Sequence, residues 1–328
     1  MGACFLFAEN INAYVLDAPD VFIASRTKSI CGVPKMVYGS KPADGGFLFL
    51  DEDEKNELLD REPEAAKFVR QILGADEFIN NKKRYCLWLV DASPAELRKM
   101  PEVKSRIEKV REMRLASAKE STRRDADTSH LFQEIRQPQR GNYILVPRHS
   151  SENRRYIPFG FVSPDIICGD ANLLIPSATL YHFGILTSSV HMAWMRAVCG
   201  RLKSDYRYSK DIVYNNFPWP EAYGNRDSCG GVQTASPVAH TAQAILDARA
   251  KYPDSSLADL YDEATMPPEL RKAHAANDIA VMRAYGFSPD MTEGDIVASL
   301  LKMYERLTAS PYVVSKTGAM GRGDTSDN

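Results

Sequence analysis

The sequence predicts an α+β fold: a mixed α/β domain over residues 1–223, then a smaller all-α domain over 237–312, joined by a linker at 224–236. Three observations predict it. Short apolar runs bounded by turn residues fill the first two thirds, among them Tyr85-Cys86-Leu87-Trp88-Leu89-Val90 and Asn142-Tyr143-Ile144-Leu145-Val146-Pro147. Residues 224–236 are rich in Gly, Ser and Asn, as linkers are. Beyond them apolar residues recur at helical spacing, punctuated by Pro253, Pro267 and Pro289.

Residues 1–50 alternate strand and turn, with runs at 12–16, 21–24 and, after the Gly45-Gly46 turn, 47–50. Residues 1–8 are apolar but short and lack a basic flank, so they read as a strand within a longer polypeptide rather than a secretion signal. Residues 51–64 are acidic and predict a solvated helix start. From Glu64 to Leu73 the apolar residues Ala65, Phe68, Val69, Ile72 and Leu73 have helical spacing. Residues 85–90 predict a buried strand. Ser93, Pro94 and Glu96 then form a helix start, as N-cap, first and third positions. Between Arg98 and Arg124 ten Lys and Arg meet four Glu. Ile107, Val110, Met113 and Leu115 make a thin apolar stripe there, which predicts one long helix with a basic face. Strands are predicted at 142–147, 156–162 and 172–176, and a single helix from a Ser177 cap to a Gly200 stop. Helices at 242–250, 268–285 and 292–307 form the all-α part. Residues 313–328 are a polar tail with no core to join.

The 328 residues carry a net charge of −2, with 44% hydrophobic and 26% charged residues. This balance is ordinary for a globular protein and excludes a uniformly basic chain that coats nucleic acid; such contacts must come from local charge. No apolar run reaches the roughly 18 residues of a membrane span. The six cysteines lack any CxxC or zinc spacing and read as reduced cytosolic core thiols.

Catalytic signatures are missing. There is no GxGxxG after a strand, no phosphate-binding Gly-rich loop, no GxSxG and no HExxH. The Asn/Asp-Pro-Pro-Tyr/Phe tetrad of amino-methyltransferases is absent too; Asn216-Phe217-Pro218-Trp219 and Met266-Pro267-Pro268-Glu269 lack its order. Asp91 with Glu102-x-Lys104 has nuclease-like spacing. In a helix, however, residues two apart point about 200° apart and cannot share a metal. The six histidines are scattered, which favours packing or capping roles.

Two stretches carry nucleic-acid chemistry. Residues 147–156 (Pro-Arg-His-Ser-Ser-Glu-Asn-Arg-Arg-Tyr) join two strands and are dense in side chains that bond base edges: Arg to guanine, Asn to adenine, Glu to cytosine. A solvated basic hairpin is the alternative. From Thr179 to Pro220, aromatics and amides are interleaved with Arg201, Lys203, Arg207 and Lys210, which suits a phosphate backbone. A surface turn paired internally, Asp205 with Arg207, is the alternative there.

The runs Asn12–Asp20, Gly32–Gly39, Glu77–Asn80, Arg154–Phe161, His191–Arg196, Ser204–Ser209, Leu257–Asp262 and Met266–Leu270 resemble the carboxy-terminal half of the MmeI-like family, and the resemblance extends to about residue 310. Members fuse a nuclease, an adenine-N6 methyltransferase using S-adenosylmethionine, a target-recognition domain and a helical carboxy-terminal domain. The resemblance implies the last two parts: the sequence-reading half of a type II (IIG/IIL) restriction–modification methyltransferase, not catalytic alone. S-adenosylmethionine and Mg²⁺ would belong to other parts of the parent protein. The implied base-reading residues are Glu152 and Arg154, with Arg148 and Tyr156 as further candidates, and Asn153 at a variable position. The phosphate-binding candidates are Lys203, Arg207, Lys210 and Arg201, together with the basic helix. Implied partners are double-stranded DNA and the methyltransferase domain of the same parent chain, with no membrane and a cytoplasmic location. A scaffold whose basic helix pairs with an acidic protein is the competing reading, and an enzyme of unseen type a third.

Overall fold

The computed structural model describes residues 20–220 and 236–309. The runs at 1–8 and 12–16, most of the linker and the tail lie outside the described residues. The strands are β1 (Val37–Tyr38), β2 (Phe49–Leu50), β3 (Val69–Leu73), β4 (Tyr85–Leu87), β5 (Tyr143–Pro147), β6 (His149–Ser150), β7 (Gly160–Val162), β8 (Ile167–Cys168), β9 (Asn172–Pro176), β10 (Gly200–Leu202) and β11 (Asp205–Arg207). The helices are α1 (Glu52–Arg61), α2 (Ala75–Asn80), α3 (Pro94–Leu97), α4 (Pro101–Leu115), α5 (Glu120–Arg124), α6 (Leu180–Leu186), α7 (Ser189–Val198), α8 (Pro237–Ala250), α9 (Leu257–Leu260), α10 (Pro268–Ala284) and α11 (Glu293–Thr308).

The fold is α+β. An antiparallel sheet, ordered β1-β9-β5-β7, forms the centre. A second sheet, β2-β4-β3-β8, is antiparallel except for the β3–β8 pair. The third, β10-β11-β6, is the small one. β5 is a continuous apolar run and is buried along its length, as a strand covered on both faces must be. One face, through Ile144, Val146, Leu173 and Ile175, joins a core that continues into α6, α7 and the helices after residue 236. Tyr143, Leu145 and Leu174 on the other face pack with Leu73 and Cys168 of the second sheet. The core of Ile245, Leu270, Val281, Leu300 and Leu301 is therefore continuous with that of the central sheet, and the carboxy-terminal helices brace it.

Several predicted elements form as expected. Ser93 Oγ accepts Glu96 N–H and Glu96 returns the bond, completing the capping box. Asp51 caps the acidic α1 in the same way. Glu102 and Lys104 both lie in α4, so the nuclease-like spacing is helical. The four described cysteines are free thiols, and burial pushes up the pKa of each.

Other elements differ. Residues 64–73 are not a helix: a 3-10 turn over Pro63–Phe68 leads into β3. Pairing with β4 and β8 satisfies the backbone there, and β-branched Val69 and Ile72 suit it. No strand forms at 21–24; instead, Asn216 Nδ2 donates to Ala24 O at 2.8 Å. At 47–50 only the last two residues are strand, after a turn in which Asp44 Oδ2 accepts Leu48 N–H. The 156–162 strand contracts to β7.

The expected single helix after Ser177 is two, α6 and α7. Ser177 has φ +57 and cannot cap it; Thr179 does, with His182. Ser188 caps α7. His182 and His191 thus sit on different helices, both buried. The long basic helix also breaks, after Leu115. Val103, Val110 and Arg114 face inward while Leu115 is exposed.

Candidate nucleic-acid interface

β5 ends at Pro147 and delivers Arg148 and β6 to the edge of the core. β11 pairs with β6, placing Arg207 opposite His149 and Tyr206 opposite Ser150. β10 closes a hairpin with β11. Along β11 the period of two holds: Tyr206 points in, Asp205 and Arg207 out. The hairpin turns at Lys203, whose φ of +57 is left-handed and costly for a residue with a Cβ.

Residues 151–155, leaving β6, lie against this hairpin. Glu152 N–H donates to Asp205 Oδ1 at 3.3 Å. Arg201 Nη1 donates to Ser204 O at 2.9 Å and lies 3.4 Å from Glu152 Oε2. Its guanidinium sits 4.5 Å from the Tyr206 ring centroid. The exposed face around this hairpin bears His149, Glu152, Asn153, Arg155, Arg201, Lys203 and Arg207, with Arg154 half-buried. The register sets His149 and Arg207 on one side of the small sheet and Arg201, opposite Tyr206, on the other. Burial lowers the pKa of Arg154, against the pull of Asp205 and Asp262. His149 is lowered by burial and then by Arg148 and Arg207, which outweigh Asp205. The cations Arg154, Arg155, Arg201, Lys203 and Arg207 outnumber the acids Glu152 and Asp205 here, a balance that suits an anionic backbone.

Glu152, Arg154, Arg201, Lys203 and Arg207 are thus brought together. Arg201 is the most engaged, bonded to two protein groups and stacked on a third. Among the described ion pairs Arg207 is not joined to Asp205, whose carboxylate accepts the Glu152 amide. Arg148 and Lys210 fall outside this face. They approach Tyr38, at 5.0 and 5.4 Å from its ring centroid, with Arg136 at 5.9 Å. Arg148 also donates to Asp170 O at 3.2 Å, and Lys210 to Asp211 Oδ1 at 2.5 Å. Local sequence gave no sign of this cluster, since Tyr38 and Arg136 are remote in the chain.

Tyr156 departs most from expectation. It is 4% exposed, its hydroxyl donates to Asp278 Oδ2 at 2.6 Å and its ring stacks on His274 at 4.2 Å. No edge of the phenol remains to meet a base. The Asn215-Asn216-Phe217-Pro218-Trp219-Pro220 exit is likewise interior. Asn216 Nδ2 donates to the carbonyls of Ala24, Asp211 and Ile212, and Asn215 Nδ2 to that of Arg26. These amides satisfy buried backbone acceptors rather than facing solvent.

Part of the basic surplus of residues 98–124 is engaged within the protein. Arg106 donates to the carbonyls of Phe47 and Phe49, and Arg123 to those of Ser117 and Ala118. Arg114 is fully buried and donates to five carbonyls, those of Pro42, Ala43, Asp125, Thr128 and Leu131. Lys104, Arg111 and Arg124 pair with Glu108, Asp127 and Glu120. Arg106 and Arg114 hold this region of the fold together, while the ion pairs of Lys104, Arg111 and Arg124 are exposed.

The model of the MmeI target recognition domain matches residues 17–221, and that of the MmeI C-terminal domain residues 233–311. The chain belongs to the MmeI family. DNA methyltransferase A of Bacillus subtilis (strain 168) is 37% identical over 300 residues, 91% of this chain and 33% of that protein. A solved structure of the type IIL restriction-modification enzyme MmeI in complex with DNA aligns with a TM-score of 0.85 and 44% identity, over 92% of this chain and 39% of that one. The chain thus spans about a third of the length of its curated relative. Among the described residues no group of three or more His, Cys, Asp or Glu is placed to hold a metal ion. No helix among them is long and apolar enough to cross a membrane.

Proposed function

We propose that this chain is the DNA-reading half of a type II (IIG/IIL) restriction–modification adenine-N6 methyltransferase of the MmeI family. The observation that carries the reading is that a base-edge loop, residues 151–155, lies beside the exposed hairpin that bears Arg201, Lys203 and Arg207. Lys203 and Arg207 contact phosphates and set affinity; Arg154 and Glu152 read guanine and cytosine edges in the major groove and set specificity. Arg148 beside Tyr38 contributes positive potential at one side, where Lys210 and Arg136 are paired with Asp211 and Glu134. Methyl transfer and cleavage, with S-adenosylmethionine and Mg²⁺, belong to other domains of the parent protein, which works on DNA in the cytoplasm and docks its methyltransferase domain against this half.

The scaffold reading rests on the basic helix, and the engagement of Arg106 and Arg114 within the fold weakens it. A salt titration of binding to random-sequence duplex tests the proposal. Affinity should fall log-linearly with salt, by about 0.9 per phosphate neutralised. Binding insensitive to salt, or methyl transfer by the purified chain alone, would refute it.

A further inference from the structure

The loop assigned to base reading is anchored at its start by the β6–β11 ladder and at its exit by groups from the carboxy-terminal helices. Three tethers act at the exit. Arg196 Nη1 donates to Arg155 O at 3.2 Å, and Glu293 holds the same guanidinium at both ends, at 2.7 and 2.8 Å. Asp278 Oδ2 accepts the Tyr156 hydroxyl at 2.6 Å, while its Oδ1 accepts Ser189 N–H at 2.7 Å, at the start of the helix that carries Arg196. Arg249 Nη1 donates to Phe159 O at 2.5 Å.

Between loop and helices lies an open groove of about 670 Å³, lined by Glu152, Arg154, Tyr156, Asp278 and Glu293 among others. Across this gap the tethers hold residues 152–155, and Tyr156 at their exit packs on His274. Asp278 is nearly buried, and burial raises its pKa against the bonds from Tyr156 and Ser189. A carboxylate kept there for packing alone would be a poor choice.

We infer that Glu293, Arg196 and Asp278 are positioning residues for base recognition, so that the carboxy-terminal helices set the register of the reading loop. The inference rests on the proposed DNA-reading role. Base readout tolerates errors of only about 0.5 Å in side-chain placement, and these tethers fix the groove side of residues 151–155 at its exit. Charge on the helices does not itself reach DNA in this scheme: Arg196 is neutralised by Glu293.

Two variants of the chain test it. Glu293→Ala frees Arg196 without disturbing the core, and Tyr156→Phe removes one hydroxyl. Each is compared with the unsubstituted chain by sequencing the bound fraction of a randomised duplex library, by affinity for a random-sequence duplex, and by amide hydrogen exchange at 151–155. Enrichment of the preferred sequence should fall by about five- to tenfold, less than a whole base contact can supply. Exchange at 151–155 should quicken, and random-duplex affinity should hold. Unchanged enrichment and exchange in both variants would overturn the inference, as would an equal loss on preferred and random DNA. An unsubstituted chain that enriches no sequence would overturn the base-reading assignment and this inference together.

Discussion

Lys203 holds a left-handed backbone, φ +57, at the tip of the β10–β11 hairpin. Glycine adopts that conformation without strain. Lys203→Gly should therefore leave the melting temperature unchanged or raised while reducing the salt slope of DNA binding by about 0.9. An unaltered slope would remove Lys203 from the phosphate contacts. Arg154 makes the opposite prediction. Arg154→Ala should relax discrimination at one base pair by about 1–3 kcal/mol, with a smaller loss on random DNA; library sequencing reads it directly. The place of Arg154 and Glu152 on a connection between apolar strands was legible because it is local; their base-reading role is the proposal these measurements test. Tyr156 was misplaced because the group that takes its hydroxyl, Asp278, is 122 residues away.

Helix α4 shows how an element can mislead. Its residues 103, 107, 110 and 114 form one face, but the last is an arginine, so the apolar stripe appeared to run to Leu115 instead. Arg114 occupies the inward position because five carbonyls from the loops at 42–43 and 125–131 converge on its guanidinium. Arg114→Met should strand those acceptors and destabilise by at least about 3 kcal/mol in chemical denaturation. A loss under about 1 kcal/mol would mean that water replaces it. The α6–α8 crossing depends on Gly184, where an added Cβ would lie 2.7 Å from Val238 Cγ1 and 3.0 Å from Val238 O. Gly184→Ala should cost about 1–3 kcal/mol. Gly200→Ala, with nothing within 4 Å, is the control. Equal effects of the two would argue against the crossing.

The continuous core gives the molecule a pH signature. Burial holds His191 down to about 3 and His274 well below its ordinary value. Both are neutral when folded and protonate near 6.5 when unfolded, so the unfolded state binds more protons below that pH. Their contribution is fully present above pH 6.5 and is lost as pH falls toward about 3, the value of His191. The slope approaches about 1.4 kcal/mol per pH unit for each. Asp278, whose pKa burial raises from its ordinary 3.8, titrates with the opposite sign. Denaturant melts between pH 7 and 5 measure this, and His191→Gln should flatten the slope. A slope unchanged by that substitution would show that His191 is already protonated in the fold.

Composition, apolar periodicity and capping residues were enough to specify the α+β class, the strands at 85–87, 143–147 and 172–176, and the acidic and carboxy-terminal helices. Each of these depends on neighbours within about one turn or one strand. Which arginines stay free for a ligand, where the 64–73 segment finds its partners, and what holds the reading loop were decided only by the assembled fold. The reason is physical: hydrogen bonds and burial are satisfied by whatever groups packing brings near. Here those groups come from residues as far apart as Arg155 and Glu293, joined through Arg196.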